Sequence, residues 1–296
     1  MIIIDMNQIA LASVMMQLRM FETKQVDEGM VRHMILNSIR NYVMQFKSDY
    51  LENHGEFKDA NVILAWDSKH YWRRDYYPQY KASRRKGRQE SDLDWNEIFR
   101  VTNKIRDEIK ENLPYKSVEV YGAEADDIIA VVSNSYSEVG KNPIFLDKVM
   151  IVSSDKDFIQ LHKENVKQWS PVTKQEVNGH DPDTYIKEHV LKGDSGDGVP
   201  NVLSPDHTFT DGLRQKPLGK KRIEKMINEN MNDWSDEVKR NYQRNYKLIN
   251  LQNIPKDIES NIIDEVDKSS CGDRSKLLNY FTVNKLKTLT ENIGDF

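Results

Sequence analysis

The sequence predicts an α/β fold: a mostly parallel central sheet with helices on both faces, then a helical C-terminal region. Over residues 1–172, short apolar runs alternate with helical patterns, as in a parallel sheet with crossover helices. Four of those runs end in acid: IIID (Asp5), VILAWD (Asp67), VEVYGAEADD (Glu124, Asp126) and VMIVSSDKD (Asp155, Asp157). Beyond residue 181 no strong strand pattern appears.

The strand runs fall at 2–5, 61–67, 117–122, 148–154 and 166–171, and the helical stretches between them at 7–20, 27–54, 94–112 and 123–139. A segment at 69–93 separates the second strand from its helix and is too long for an ordinary connection. DPDTYIKEHVL starts the next helix, with Asp181 as N-cap and Pro182 at the first position. Helical patterns recur at 219–230, 234–250 and 275–292, and the aperiodic 199–218 reads as a loop. The expected division is a core at 1–180 and a helical region at 181–296, with no repeats and no low-complexity segment.

The chain has 296 residues, 38% hydrophobic and 30% charged, which fits a globular protein with a real core. One cysteine, Cys271, excludes an intrachain disulfide and a cysteine-rich zinc site, and fits a reducing compartment. No apolar run approaches the ~20 residues of a membrane span, and MIIIDMNQIA has no secretion signal. The expected location is therefore cytoplasmic. Net charge is −4, but residues 69–88 hold eight Lys/Arg and one acid, a local +7 that marks an anion-binding footprint.

In an open parallel sheet the strand C-terminal ends share one edge, where ligands bind. The four acidic endings converge there, and GDSGD adds Asp194 and Asp197. Like charges so close need cations, and hard oxygen donors favour magnesium or manganese. Glu124 and Asp126 can converge only across the turn after Gly122, Asp155 and Asp157 along an extended strand end, and Asp194 and Asp197 on one helical turn. Each acid alone reads equally well as a helix N-cap; Asp127 reads mainly so. Four such endings together suit phosphodiester hydrolysis by two magnesium ions ~4 Å apart. No Ser-His-Asp or Cys-His set competes, and the seven histidines show no zinc spacing.

HYWRRDYYPQYKASR, YGAEADDIIA, IVSSDKDFIQLH and KGDSGDGVP stand in the order found in the flap endonuclease family of structure-specific 5′-nucleases, which this chain resembles over most of its length. YWRRD, NVKQWSP and TENIGDF resemble phage-encoded members in particular. The resemblance implies a PIN-like 5′-nuclease core that binds two Mg²⁺, with Mn²⁺ substituting. By position, Asp5, Asp67, Glu124 and Asp126 hold the first ion; Asp155, Asp157 and Asp197 hold the second, with Asp194 helping directly or through water.

The family also gives 69–93 the role of an arch that admits a single-stranded 5′ end. Arg73, Tyr80, Lys81 and Arg84 match its spaced R…YKxxR pattern. Lys81 and Arg84 are the catalytic candidates, reaching the scissile phosphate. Tyr76, Tyr77 and Tyr80 are candidates for stacking on unpaired bases, and Arg85, with Lys86 and Arg88, raises the local potential. The alternative is a solvated basic loop with core-facing tyrosines. After GDSGD the family has a helix-turn-helix type DNA-binding motif; its Gly-x-Gly turn is absent here, which leaves its cation site open, while Lys220 and Lys221 stand where phosphates are contacted.

The implied activity is a metal-dependent 5′-3′ exonuclease and flap endonuclease on RNA–DNA hybrids and DNA duplexes, removing RNA primers in phage replication and leaving 5′-phosphates. It implies a monomer in the host-cell cytoplasm. It allows a single-strand DNA-binding protein and a sliding clamp as partners, although the sequence supplies no clamp-binding box. Two competing readings remain: a single-strand ribonuclease of the toxin-like class, and a non-catalytic junction-binding scaffold.

Overall fold

Ile2, Ile3 and Ile4 are fully buried, yet they serve two different cores, because successive side chains of a strand point to opposite faces. The computed structural model describes residues 1–51, 59, 61–137, 148–179, 181–269 and 274–296. Strands β1 (Ile2–Asp5), β2 (Val62–Trp66), β3 (Lys116–Glu119), β4 (Val149–Val152), β5 (Val166–Ser170) and β6 (Gln175–Glu176) form one sheet in the order β3-β2-β1-β4-β5-β6. The first five are parallel; β6 pairs antiparallel with β5. Strand order reverses between β1 and β4, which opens a crevice at their C-terminal ends. Asp5 ends β1 and Asp155 follows β4, so the topology alone brings these two acids to that crevice.

The helices of the first part are α1 (Met6–Met20), α2 (Glu28–Tyr50), α3 (Trp72–Tyr76), α4 (Ala82–Gln89), α5 (Trp95–Asn112) and α6 (Ala125–Ser137). There follow α7 (Pro182–Lys192), α8 (Lys220–Asn228), α9 (Asp236–Ile249), α10 (Lys256–Lys268), α11 (Ser275–Val283) and α12 (Lys287–Glu291). One sheet face packs Ile2, Ile4, Leu64 and Val152 against α1, α2, α5, α11 and α12. The other packs Ile3, Ile63, Val118 and Ile151 against α6 and α10. Aspartates cap the helices where the chain leaves a strand or loop: Asp27 accepts from Met30 N, Asp94 from Glu97 N and Asp181 from Thr184 N, with Pro182 at the first position as expected.

Several elements differ from the sequence expectation. β3 stops at Glu119 rather than 122, because Gly122 turns the chain at φ +88°, and an added Cβ there would meet Ile258 at 2.7 Å. The helix expected over 275–292 is two helices, broken where Lys285 adopts φ +56°. α10 was not anticipated; it opens after Pro255 and buries Ile258, Ile262 and Val266, four residues apart, on one face. The expected helix ends at 52–54 and 138–139, and Cys271, lie outside the described residues.

The helical C-terminal region is not packed as one layer. α7, α8 and α9 share small cores around Val190, Leu248 and Ile249 and around Leu191, Ile223 and Met226. α10 to α12 instead cover the two sheet faces. Among the described residues no helix is long and apolar enough to cross a membrane.

This packing predicts a sharp contrast. Ile262→Ala, at a fully buried position, should cost about 2–5 kcal/mol in urea denaturation. Leu278→Ala, on the exposed side of α11, should stay within about 0.5 kcal/mol. Equal effects would contradict the assignment of α10 to the core.

Candidate active site

Backbone donors at helix starts and turns hold several of these acids. Asp5 Oδ1 accepts from Gln8 N at 3.1 Å, capping α1, while Oδ2 accepts from Ser153 Oγ at 2.9 Å. Asp67, just past β2, accepts from Ala125 N at 2.8 Å and so pins the start of α6. Asp155 accepts from Asp157 N at 3.0 Å, and Asp194 from Gly196 N at 2.7 Å and Asp197 N at 3.1 Å. Gly193, at φ +68°, packs so closely that a Cβ would overlap the Val199 carbonyl; this sharp exit from α7 delivers Asp194 and Asp197 to the sheet edge. Asp127 faces away from the cleft and binds Glu124 N at 3.0 Å and Trp72 Nε1 at 3.2 Å, the helix-start role its position suggested.

The result is a cleft of about 1000 Å³ lined by Asp5, Asp67, Glu124, Asp126, Asp155, Asp194 and Asp197. Asp157 lines a small recess beside it with Asp126, Asp194 and Asp197. All eight predicted acids therefore share one locality. Basic side chains share this lining: Lys81, Arg84, Arg85 and Arg88 line the same cleft, and Lys81 and Arg84 are ion-paired with its acids. Lys81 is the hinge of this lining. Its backbone sits in the left-handed region at φ +56°, its N–H donates to the Asp197 carbonyl at 2.7 Å, and its amine reaches Glu124 at 2.5 Å and Asp197 at 3.5 Å. A non-glycine residue in that conformation is strained, and such strain persists only where the surroundings fix it. Arg84 pairs with the other oxygen of Asp197.

Burial pushes the Asp5 carboxyl up to about 6, and the charges of Asp67 and Asp155 add to the shift. Burial raises Asp67, and burial with neighbouring acids raises Asp126, Asp157 and Asp194. Asp197 goes the other way: burial opposes its ionisation, but Lys81 and Arg84 outweigh it. Burial also disfavours a charged Lys81, and Glu124 and Asp197 more than compensate. These acids lack enough positive charge, and their donors are the hard oxygens that divalent ions take. One nitrogen joins them. His189 Nε2 on α7 is buried without a hydrogen bond, 3.4 Å from Asp157 and 3.9 Å from Asp194. Burial lowers its basicity despite the nearby acids. Asp157, His189 and Asp194 each offer an atom within 4.8 Å of the others, so the donors fit a cation.

Three nucleic-acid candidates require correction. Arg73 is only 2% exposed; it pairs with Glu124 and Asp127, each at 2.8 Å, and donates to the Leu248 carbonyl at 2.9 Å. Tyr80 is buried and its hydroxyl donates to Asp197 at 2.7 Å. Tyr77 is buried and donates to the Asp206 carbonyl at 2.7 Å. Arg73 and Tyr80 support the acids from behind, and neither buried tyrosine presents a face for a base to stack on. Of that tyrosine group Tyr76 is the exposed one. The core-facing alternative thus holds for Tyr77 and Tyr80, while α4 buries no residue. Lys220 and Lys221 open α8 as exposed side chains and do not line the cleft.

Sequence reasoning missed His189 and the cleft-facing side of α5, where Trp95, Phe99, Arg100, Asn103 and Arg106 recur at helical spacing. Arg88 lies over the Trp95 and Phe99 rings, 5.3 and 4.9 Å from their centroids. The helical period was legible there, but not which face met the cleft.

Residues 6–191 match the family described as 5′-3′ exonuclease, N-terminal resolvase-like domain, and residues 181–296 match that described as T4 RNase H, C terminal. The chain belongs to the 5′-3′ exonuclease family. Within this family it is 33% identical to the ribonuclease H of Enterobacteria phage T4, over 99% of this chain and 95% of that one. It is also 28% identical to the flap endonuclease Xni of Shewanella sp. strain MR-4, over 48% of this chain and 53% of that one. The protein is a nuclease, a hydrolase of the exonuclease and flap endonuclease type. Its fold is shared with the 5′-exonuclease of phage T5 solved with zinc, at TM-score 0.59, 15% identity, 91% of this chain and 98% of that one. It is shared too with the phage T5 D15 flap endonuclease in a complex with DNA and metal ions, at TM-score 0.56, 15% identity, 90% of this chain and 99% of that one.

The burial of Arg73 gives a direct test. Arg73→Met leaves Asp127 buried without its cation and Glu124 with Lys81 alone, and should cost about 3–5 kcal/mol in denaturant unfolding. A surface contact to nucleic acid would leave stability unchanged, so an unaltered midpoint would contradict this placement.

Proposed function

We propose that this nuclease is a divalent-metal-dependent 5′-3′ exonuclease and flap endonuclease on RNA–DNA hybrids and DNA duplexes, removing RNA primers from lagging-strand fragments in phage replication. The observation that carries the reading is the single cleft that seven carboxylates line together with Lys81, Arg84 and Arg85. A lone acidic cluster attracts cations and a lone basic one attracts phosphate; both lining one cleft suits a phosphodiester brought against metal ions. The named activities of the phage T4 and Shewanella relatives support the same substrate class.

Asp5, Asp67, Glu124 and Asp126 would hold one Mg²⁺, and Asp155, Asp157 and Asp197, with Asp194, a second; Mn²⁺ suits the same oxygens. When bound, the ions supply a nucleophilic water and charge neutralisation at the phosphate. The chain's own residues do the rest. Arg73 and Tyr80 fix the rotamers of Glu124 and Asp197 through their bonds from below. Lys81 and Arg84, at the cleft wall, meet the scissile phosphate and offset the charge it gains in the transition state. Release of the 3′-oxygen leaves the 5′-phosphate on the product. Arg85, Lys220 and Lys221 contact phosphates along the strand and duplex, which gives affinity without sequence preference.

The test uses a 5′-labelled flap duplex and a matching RNA–DNA hybrid, with magnesium and with a chelator. Short 5′ products should appear with magnesium alone. Asp126→Asn should lose cleavage and keep binding, whereas Lys81→Ala should slow turnover about 10²–10³-fold with little change in affinity. Tight binding without cleavage would mark a scaffold, and cleavage confined to bare RNA strands would mark a single-strand ribonuclease.

A further inference from the structure

Behind Asp157 and Asp194, two acids of the recess, stands one group that eight carboxylates do not require. His189 projects from α7 with Nε2 buried and unbonded, between Asp157 and Asp194. Its ring stacks on Tyr185, one helical turn earlier, with centroids 5.5 Å apart and planes 23° apart. That stacking fixes the ring plane, so the direction of Nε2 is set by packing. An imidazolium serving only as counter-charge would be expected to hydrogen-bond one of the acids, and this nitrogen bonds neither.

The geometry points to His189 as an imidazole ligand of the second divalent ion, beside Asp157 and Asp194. The assignment rests on the metal-nuclease reading and refines it. Around an octahedral ion with bonds of about 2.1 Å, adjacent ligand atoms lie about 3 Å apart and opposite ones about 4.2 Å apart. The nitrogen–oxygen separations of 3.4 and 3.9 Å fall between those limits, so small side-chain adjustments bring all three atoms onto one ion. Ligation needs the neutral ring with its proton on Nδ1.

An imidazole changes what the site prefers. Carboxylates and water suit magnesium, whereas imidazole nitrogen suits the first-row transition ions. The position formed by Asp5, Asp67, Glu124 and Asp126 offers oxygen alone. The two positions therefore differ in chemistry: the first accepts Mg²⁺ readily, and the second discriminates in favour of Mn²⁺, Fe²⁺ or Zn²⁺.

The measurement is pulsed EPR on the full chain loaded with Mn²⁺, together with Mn²⁺ and Mg²⁺ titrations. The wild-type protein should show nitrogen modulation from a coordinated imidazole. His189→Gln should lose it, bind the second Mn²⁺ about 10–100-fold more weakly, and keep the first; outer-ligand losses alone reach that size. Its Mn²⁺ preference over Mg²⁺ at the second position should shrink in step. Two bound Mn²⁺ without nitrogen modulation in the wild type would overturn the ligand role and leave the two-metal reading intact. A modulation that survives in His189→Gln would overturn it as well. Failure of the wild type to bind Mn²⁺ would remove both the metal-site reading and this one.

Discussion

Two carboxylates 4 Å apart repel by about 4 kcal/mol at an effective dielectric near 20, and this fold gathers eight of them at one sheet edge. Such crowding opposes folding and is tolerated only because the rest of the chain is built to hold it. Three of the parallel strands, β1, β2 and β4, are buried on both faces and supply the rigidity. Helix starts supply backbone donors: Gln8 N to Asp5 and Ala125 N to Asp67 each put amide hydrogen against an acid. The remaining excess of negative charge shows in the raised carboxyls of Asp5, Asp126 and Asp157.

The internal cations follow from the same constraint. Arg73 is buried because Glu124 and Asp127 are, and an arginine fork can meet both while spending its remaining N–H on a backbone carbonyl. Lys81 accepts a left-handed backbone conformation to reach Glu124. Both come from the basic segment after β2, so that segment has two functions divided along its length. Its first half, through Tyr80, is anchored beneath the acids by Val190, Val199 and Leu248. Its second half, α4, buries no residue; Arg84 turns to Asp197 and Arg88 to the Trp95 and Phe99 rings, while Arg85 and Lys86 are exposed.

The sequence made the strands legible because their apolar runs are short and four of them are tipped with acid, but not that β4 pairs with β1 rather than with β3. It also showed the acids as a set, although the choice between helix cap and ligand was too narrow: Asp5 caps α1 and faces the cleft at once. What it could not show depends on contacts far along the chain. Tyr77 reads as an exposed aromatic in a basic run, and only Asp206, 129 residues away, explains its burial. His189 and Asp157 lie on separate elements, and no spacing rule connects them. α10 carried a readable four-residue repeat, but its polar residues masked a face that only packing against β3 makes necessary.

The claim that repelling carboxylates define two cation positions is tested most directly by anomalous diffraction from crystals of the wild-type chain grown with Mn²⁺. Two peaks are expected in the cleft, one among Asp5, Asp67, Glu124 and Asp126 and one among Asp155, Asp157, Asp194 and Asp197. An empty cleft, or manganese bound only outside it, would contradict that account.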